Sequence, residues 1–212
     1  DEANHKGLVR HVLLRKGFAS GEHMVCLVIN GKKLPHEKEF IERMREVGAD
    51  SISLSFNMEK TNVMRILDQK KIPYHHYEYD NSQAYSGTEV ADMLGQDPKV
   101  VYKTLVTVAK SKKNYVFVIP VEEELDLKKA AKAANEKSIE MLKSKELLPL
   151  TGYVHGGCSP IGMKKAFTTF LHSTAKEQEH IIFSAGKIGY QVEVAPEDLA
   201  KVVRFTFADV IK

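Results

Sequence analysis

The sequence predicts a mixed α/β fold, and three observations support this prediction. In several short segments apolar residues alternate with polar ones, as in half-buried strands, and in other segments they recur every three to four positions, as in amphipathic helices. The two kinds of segment follow one another in an irregular order, which argues against a regular doubly wound sheet. The 212 residues are 43% hydrophobic and 28% charged, a globular composition that excludes fibrous and disordered chains.

Residues 1–60 predict the order strand, strand, helix, strand. Segments 8–14 and 24–30 have strand patterns and flank a glycine-containing turn. A helix follows Pro35 and ends at Gly48. Its apolar face is formed by Phe40, Ile41, Met44 and Val47. Segment 51–56 alternates apolar residues with serines, which indicates a half-buried strand.

The rest of the chain predicts further helices and strands in alternation. A helix begins near Thr61 and ends before Pro73, and a second helix has Thr88 as its N-cap and Gly95 as its C-cap. Strands are predicted at 100–109 and 115–119, and a lysine- and alanine-rich helix at 125–135. Shorter strands and helices follow toward residue 212.

Composition and motifs exclude several classes of function. Lys and Arg number 31 against 28 Asp and Glu, a net charge of +3 that permits an RNA partner without favouring one. The two cysteines cannot form a disulfide framework and lack zinc-ligand spacing, so a reducing, cytoplasmic location is expected. We expect neither a membrane segment nor a secretory signal. The motifs GxGxxG, GxxxxGK[ST], GxSxG and HExxH are missing from the sequence, so no cofactor or metal is predicted.

The segment GGCSPIG at 156–162 is one candidate site. Its paired glycines allow the backbone to approach a ligand closely and to direct N–H groups at a carbonyl or phosphate oxygen. The same spacing also suits a tight turn at the end of a strand. Cys158 lies within this segment, but the sequence places no activating group beside it, so a small turn residue is favoured over a nucleophile.

Lys103 is a second candidate, because it lies within the apolar strand pattern VVYKTLVTV. Alternation places it on one face with Val101, Leu105 and Thr107. It can be a cation that faces a pocket for a phosphate or an ester, or a lysine of an edge strand with its ammonium group in water. Both interpretations stay open at this level.

Other lysines suggest contact with RNA. Two of them lie in the polar turn at 112–113, and three lie on the predicted helix at 125–135, namely Lys128, Lys129 and Lys132. Each is typical of a solvated surface, although together they offer a patch for a tRNA backbone. Tyr79 provides an aromatic face that can stack on a base or pack between strands.

Several motifs carry a resemblance to a known family. TNVMRILDQKKIPY, GTEVADMLG, VVYKTLV, TGYVHGGCSPIGMKK and FSAGKIGYQVEVAPEDL follow one another in this order. In this order and at these intervals they resemble the YbaK family of Cys-tRNA(Pro) deacylases, which belongs to the prolyl-tRNA editing domains. The resemblance covers residues 61–212 and implies a mixed, barrel-like sheet surrounded by helices.

Residues 1–60 resemble a different protein, a 23S rRNA uridine-5-methyltransferase. The similar part is an internal fragment, and the segments that bind S-adenosylmethionine and carry the catalytic cysteine have no counterpart. Methyl transfer is therefore not expected. The two resemblances meet at EKTNVM and imply two domains, 1–60 and 61–212, joined by a gene fusion or left by a truncated methyltransferase.

The YbaK resemblance implies an enzyme that clears cysteine from mischarged Cys-tRNA(Pro). In the mechanism proposed for the family, the thiol of the bound cysteine attacks its own ester carbonyl, so no protein nucleophile is needed. The implied partners are aminoacyl-tRNA, with tRNA(Pro) as the tRNA, and prolyl-tRNA synthetase as a further candidate. No cofactor is implied, and the oligomeric state stays open.

The same resemblance assigns residues to the site. Lys103 and Gly156 correspond to the catalytic positions, where a cation holds the substrate and loop backbone stabilises charge on the carbonyl oxygen. The positions implied to bind substrate are Tyr79, Thr104, Gly157, Ser159, Pro160 and Ser184. Ser86 departs from the family pattern, because relatives often have an aromatic residue there and this chain has Tyr85 one position earlier.

Two alternative functions remain at the level of sequence. Related editing domains hydrolyse Ala-tRNA(Pro) with water as the nucleophile, and the sequence does not define the size of the aminoacyl pocket. The chain can also be a catalytically inactive module that binds tRNA or another RNA. Neither the role of residues 1–60 nor the way in which tRNA(Pro) is selected follows from the sequence.

Overall fold

The computed structural model describes residues 8–31, 33–56, 60–83 and 85–212. The chain divides into two compact units, Asp1–Glu59 and Lys60–Lys212. Glu59, the first residue of the junction EKTNVM, lies outside the described residues, as does the side chain of Phe56. No helix in the described ranges is long and apolar enough to cross a membrane.

The first unit has the predicted order of elements. Strands β1 (Val9–Lys16) and β2 (His23–Ile29) are antiparallel, and helix α1 (Glu37–Glu46) leads into β3 (Ser51–Phe56), which pairs with β2 in parallel. Alternation along β2 buries Val25, Leu27 and Ile29 on one face of this small sheet.

The second unit contains eight strands and five helices among the described residues. The strands are β4 (His75–Glu78), β5 (Tyr102–Ala109), β6 (Asn114–Pro120), β7 (Ile139–Met141), β8 (Thr168–His172), β9 (Ile181–Ser184), β10 (Tyr190–Val194) and β11 (Phe205–Ala208). The helices are α2 (Asn62–Gln69), α3 (Gly87–Leu94), α4 (Leu127–Ala133), α5 (Ser144–Thr151) and α6 (Pro196–Leu199), with a short 3₁₀ turn at Ser173–Glu177.

These strands form two sheets of mixed character. The larger has the order β11-β8-β6-β5-β7, with parallel pairing of β6 and β11 to β8 and antiparallel pairing of β5 to β6 and β7. The smaller is antiparallel, with the order β4-β10-β9. A single bridge between Val101 and Ile182 links the two sheets. The mixed α/β class is confirmed, whereas no sheet of the described residues closes on itself and the barrel-like detail is not confirmed.

The larger sheet separates two hydrophobic cores. Along β6, Val116 and Val118 point into one core and Phe117 and Ile119 into the other, as the alternation of a strand requires. Helix α5 adds Leu147 to the first core. Helix α4 adds Ala130 and Ala131 to the second core. Helices α4 and α5 therefore cover opposite faces of the same sheet.

Helix α3 begins earlier than its sequence pattern predicts. Ser86 is the N-cap, and the prediction of Thr88 at this position is wrong. The Ser86 hydroxyl accepts a hydrogen bond from the Glu89 N–H, and the Glu89 carboxylate accepts one from the Ser86 N–H. This reciprocal capping box requires a glutamate three residues after the cap, a spacing that Ser86 satisfies and Thr88 does not. Gly95 ends the helix in the left-handed conformation, as predicted.

Candidate active site

A cavity of about 370 Å³ lies beside the first half of β5. Strand β7 pairs with β5 only at Thr107–Ala109, so no described strand covers that edge between Tyr102 and Val106. The other walls come from the start of α3, the segment between β7 and α5, the loop after α5, and strand β10. This volume is within the usual range for small-molecule sites. Five of the predicted site residues line the cavity: Tyr79, Lys103, Thr104, Gly156 and Ser184.

Strand β5 lines the cavity with its first five residues, 102–106, which include the neighbours Lys103 and Thr104. Neighbouring strand residues point to opposite faces of a sheet. Both can contribute because the cavity runs along the uncovered edge of the strand rather than over one face.

Lys103 is half-buried, and its Nζ donates a hydrogen bond of 2.9 Å to the carbonyl oxygen of Val121. Burial lowers the pKa of this ammonium group, although the negative charges of Glu124 and Glu123 oppose that effect. An ammonium group has three N–H donors. The bond to Val121 occupies one of them, so two donors are left for an oxygen-rich ligand.

Thr104 has a buried hydroxyl oxygen, Oγ1, that has no hydrogen-bond partner among the described residues. A buried polar atom without a partner costs about 1 to 3 kcal/mol. Because Thr104 also lines the cavity, a bound ligand can supply the missing partner.

The glycine loop contributes to the cavity at one end only. Gly156 lines the cavity and has φ 80°, a left-handed conformation that favours glycine. Gly157, Ser159 and Pro160 do not line it. The Gly157 N–H already donates to the carbonyl of Val154 at 3.1 Å.

The three remaining loop residues hold Gly156 in place. A Cβ atom on Gly157 would lie 3.2 Å from the backbone nitrogen of Ile188, a tight contact, so the two backbone segments pack closely here. Ser159 is fully buried, and its hydroxyl accepts a hydrogen bond from the Ile161 N–H. Pro160 is also buried.

Cys158 also lines the cavity, and its thiol is buried. Burial alone raises the pKa of this thiol to about 12. A thiol with such a pKa is protonated at neutral pH and is a poor nucleophile. Cys158 is therefore a small, neutral part of the wall, which agrees with the sequence-based interpretation.

The smaller sheet supplies the opposite wall of the cavity. The Tyr79 N–H donates to the Gly189 carbonyl at 3.0 Å, which extends the pairing of β4 with β10. The Ser184 hydroxyl accepts a hydrogen bond from the Gly186 N–H at 3.3 Å. Gln191 is buried and accepts a hydrogen bond from the side chain of Gln96.

Sequence reasoning missed Gln191, Tyr190 and the wall between β7 and α5, which includes Leu142 and Ser144. No local motif marks these residues, because the pairing of β10 with β4 and of β7 with β5 brings them to the cavity from distant parts of the chain. Tyr85 also lines the cavity, next to Ser86.

No carboxylate is found among the described residues that line the cavity. Nor do the described residues contain a group of three or more metal-ligating side chains. The cavity therefore presents a cation, neutral hydroxyl groups, backbone and aromatic faces, a combination that suits an anionic or ester-containing ligand.

A family model for the aminoacyl-tRNA editing domain matches residues 81–202, a range that contains most of the cavity wall. The chain belongs to this family. The editing domain is 48% identical over 153 residues to the proposed Cys-tRNA(Pro)/Cys-tRNA(Cys) deacylase EbsC of Enterococcus faecalis, covering 72% of this chain and 93% of the relative.

The editing-domain fold is also found among solved structures. A crystal structure of a proposed trans-editing enzyme for prolyl-tRNA synthetase superposes with a TM-score of 0.63 at 19% identity, covering 74% of this chain and 99% of that chain. At this identity the comparison shows the fold alone.

The resemblance to an RNA methyltransferase is confirmed as a partial match. An RNA methyltransferase of Clostridium tetani, itself uncharacterised, is 44% identical over 66 residues, which are 30% of this chain. The chain spans only 14% of the length of that relative.

Proposed function

We propose that this editing domain is an aminoacyl-tRNA deacylase that removes cysteine from Cys-tRNA(Pro). The observation that carries the proposal is the cavity that joins Lys103 and the glycine loop and has no carboxylate or activated nucleophile among its described residues. The 48% identity to EbsC, whose name specifies cysteine as the amino acid, supports the choice of substrate.

In the proposed reaction the substrate supplies its own nucleophile. The thiol sulfur of the bound cysteine attacks the carbonyl carbon of its ester, a C–S bond forms, and the C–O bond to the ribose breaks. The thiol proton passes to the ribose oxygen, so the products are a cyclic thiolactone and free tRNA. The protonated thiol of Cys158 takes no part in these bonds.

The protein contributes position and charge to this reaction. The two free N–H donors of Lys103 hold the terminal phosphate or the carbonyl oxygen, and the backbone at Gly156 stabilises the negative charge that develops on that oxygen. Thr104, Tyr79 and Ser184 contact the aminoacyl-adenosine end. Gly157, Ser159 and Pro160 act through the position of Gly156, because none of them lines the cavity.

The test compares the deacylation of Cys-tRNA(Pro) with that of Ala-tRNA(Pro). We expect the wild-type chain to clear the cysteinyl ester and to leave the alanyl ester near its rate in buffer, because alanine has no thiol. Lys103→Ala should lower the rate on Cys-tRNA(Pro) by at least 100-fold. The control is Lys99→Ala, which removes an exposed lysine that does not line the cavity.

The outcomes separate the alternative functions. Equal clearance of both esters would indicate a hydrolase that uses water, with Ala-tRNA(Pro) as a substrate. Salt-dependent binding of tRNA without turnover of either ester would contradict the deacylase and favour an inactive RNA-binding module.

The proposal extends to the rest of the chain. We assign 1–60 as a methyltransferase-like fragment without a catalytic core and 61–212 as the deacylase domain. The substrate is produced in the cytoplasm by prolyl-tRNA synthetase, so we propose a cytoplasmic location, with that synthetase as a candidate partner in the selection of tRNA(Pro).

A further inference from the structure

A second surface depression, of about 550 Å³, adjoins the cavity. Leu142 lines both the cavity and the depression. At the start of α5 two consecutive residues face different hollows: Ser144 lines the cavity and Lys145 lines the depression. The other lining residues of the depression are Val108, Asn114, Glu146, Pro149, Leu150 and Lys165.

The depression is lined by two lysines, Lys145 and Lys165, and one carboxylate, Glu146, and two further lysines lie beside lining residues in the sequence. Between residues 143 and 165 the chain carries four lysines and one carboxylate, Glu146. The lysines are exposed, and they are Lys143, Lys145, Lys164 and Lys165. None of the four forms an ion pair with a described carboxylate, so their charges are available to a polyanion.

The predicted lysine patch on α4 is less suitable. Lys129 is paired with Asp209 at 3.0 Å. In addition, α4 and α5 pack on opposite faces of the large sheet. Leu147 of α5 lines the cavity, whereas none of the described lining residues belongs to α4.

We propose that the RNA backbone next to the aminoacylated end leaves the cavity across Leu142 and places its phosphates against Lys145 and Lys165. This inference rests on the proposed function, because it takes an aminoacyl-tRNA end as the occupant of the cavity. The ammonium groups neutralise phosphates, and the apolar surface of Val108, Pro149 and Leu150 contacts ribose. Phosphate contacts of this kind set the register of the RNA without reading its sequence.

The experiment measures the binding of uncharged tRNA(Pro) by fluorescence anisotropy at several salt concentrations. The variant carries Lys145→Glu and Lys165→Glu, and the matched control carries Lys128→Glu and Lys132→Glu on α4. We expect the Kd to rise on the order of tenfold in the first variant, and the slope of log K against log salt to fall by about 1.4 to 1.8 because two phosphate contacts are lost. The control should bind like the wild type.

Kinetics on two substrates then show whether the substitutions affect the binding of RNA or the reaction itself. With Cys-tRNA(Pro), the Lys145→Glu/Lys165→Glu variant should show a raised KM and an unchanged kcat. With 3′-O-cysteinyladenosine, which has no phosphate, its rate should equal that of the wild type.

The inference and the proposed function can fail separately. The RNA path would be overturned if the Lys145→Glu/Lys165→Glu variant bound tRNA with the affinity and the salt slope of the wild type. The same holds if this variant kept its tRNA affinity and lost binding to prolyl-tRNA synthetase. An equal loss in the α4 control would overturn it as well, by showing a general charge effect. A wild-type chain that binds tRNA through these lysines but clears neither ester would overturn only the deacylase.

Discussion

Lys103 carries a charge that favours ligand binding and opposes folding. Burial lowers the pKa of its ammonium group, so the folded chain holds this proton less tightly than the unfolded chain. Below the folded-state pKa both states are protonated, and the cost of the buried charge is fully present. The cost disappears as the pH rises through the lowered pKa toward the ordinary lysine value, so this group makes stability increase with pH in that range.

Lys103→Met should therefore separate stability from activity. Methionine keeps most of the side-chain volume and removes the charge. We expect the melting temperature at neutral pH to be at least that of the wild type, the difference to shrink as the pH rises toward the ordinary lysine range, and deacylation to be lost. Thermal unfolding at pH 7 and above measures the first two effects. A melting temperature several degrees lower would instead assign Lys103 a structural role through its bond to Val121.

Thr104 offers a second test at the level of one atom. Thr104→Val removes a buried hydroxyl that has no partner among the described residues, so the free energy of unfolding should stay constant or rise by about 1 kcal/mol. If the hydroxyl bonds the substrate, the same variant should raise KM, and Thr104→Ser should restore it. Urea unfolding and steady-state kinetics measure the two effects, and an unchanged KM would exclude Thr104 from binding.

At the scale of elements, the start of α3 connects stability with the cavity wall. Ser86 and Gly87 line the cavity, and the capping box fixes the first turn of the helix to which they belong. The Glu89 carboxylate accepts hydrogen bonds from the Ser86 N–H at 2.7 Å and from the Ser86 hydroxyl at 2.8 Å, and these two bonds lower its pKa. A lowered carboxyl pKa adds stability above the ordinary glutamate range, and this contribution is lost as the pH falls through the folded-state value.

Ser86→Ala should destabilise the second unit by about 1 kcal/mol, the usual cost of an N-cap. Thr88→Ala is the matched control, because Thr88 lies inside the helix and makes no reciprocal cap. Denaturant unfolding at pH 7 should show the larger loss for Ser86→Ala. The reverse order would contradict the capping box and support the sequence-based cap at Thr88.

Hydrophobic periodicity predicted the presence of helices and strands better than it predicted the residues at which they begin and end. The alternation in 51–56 and the helical spacing after Pro35 depend only on neighbours along the chain, and both elements are present. The placement of Val47 on the apolar face of the helix was wrong, because α1 ends at Glu46 and Val47 is an exposed C-cap. The cap predicted at Thr88 was wrong although the sequence carries the distinguishing signal: Glu89 lies three residues after Ser86 and only one after Thr88, so Ser86 alone has the capping-box spacing.

The site was predictable to the extent that its residues lie in local motifs. Lys103 interrupts an apolar strand and Gly156 begins a glycine pair, so their neighbours marked both as candidates, and the family resemblance then implied their place in a site. Gln191 and Leu142 could not, because their position at the cavity depends on strand pairing between distant segments. Within the glycine loop, the sequence gives no sign that the N–H of Gly157 bonds Val154 rather than a ligand.

At the scale of the whole molecule, the candidate site belongs to one unit. Every described residue that lines the cavity lies between Tyr79 and Gln191, within Lys60–Lys212. The match to an RNA methyltransferase covers 30% of this chain and 14% of that protein's length.

A chain that begins at Lys60 should therefore keep the deacylase rate on Cys-tRNA(Pro) within about twofold of the full chain. The measurement is kcat/KM for both chains, with circular dichroism to show that the shorter chain is folded. A folded short chain with a strongly raised KM would contradict this prediction and would assign the first unit a part in binding RNA.

The absence of a carboxylate or an ionised thiol from the described cavity wall has a consequence for accuracy. In a cell, an editing domain meets far more correctly charged Pro-tRNA than mischarged product. Proline carries no nucleophilic side chain, so under the proposed reaction it can occupy the cavity and leave with its ester intact. Under this reaction, selectivity comes from whether the bound amino acid has a nucleophilic side chain. The cavity then does not have to exclude the correct product by its size.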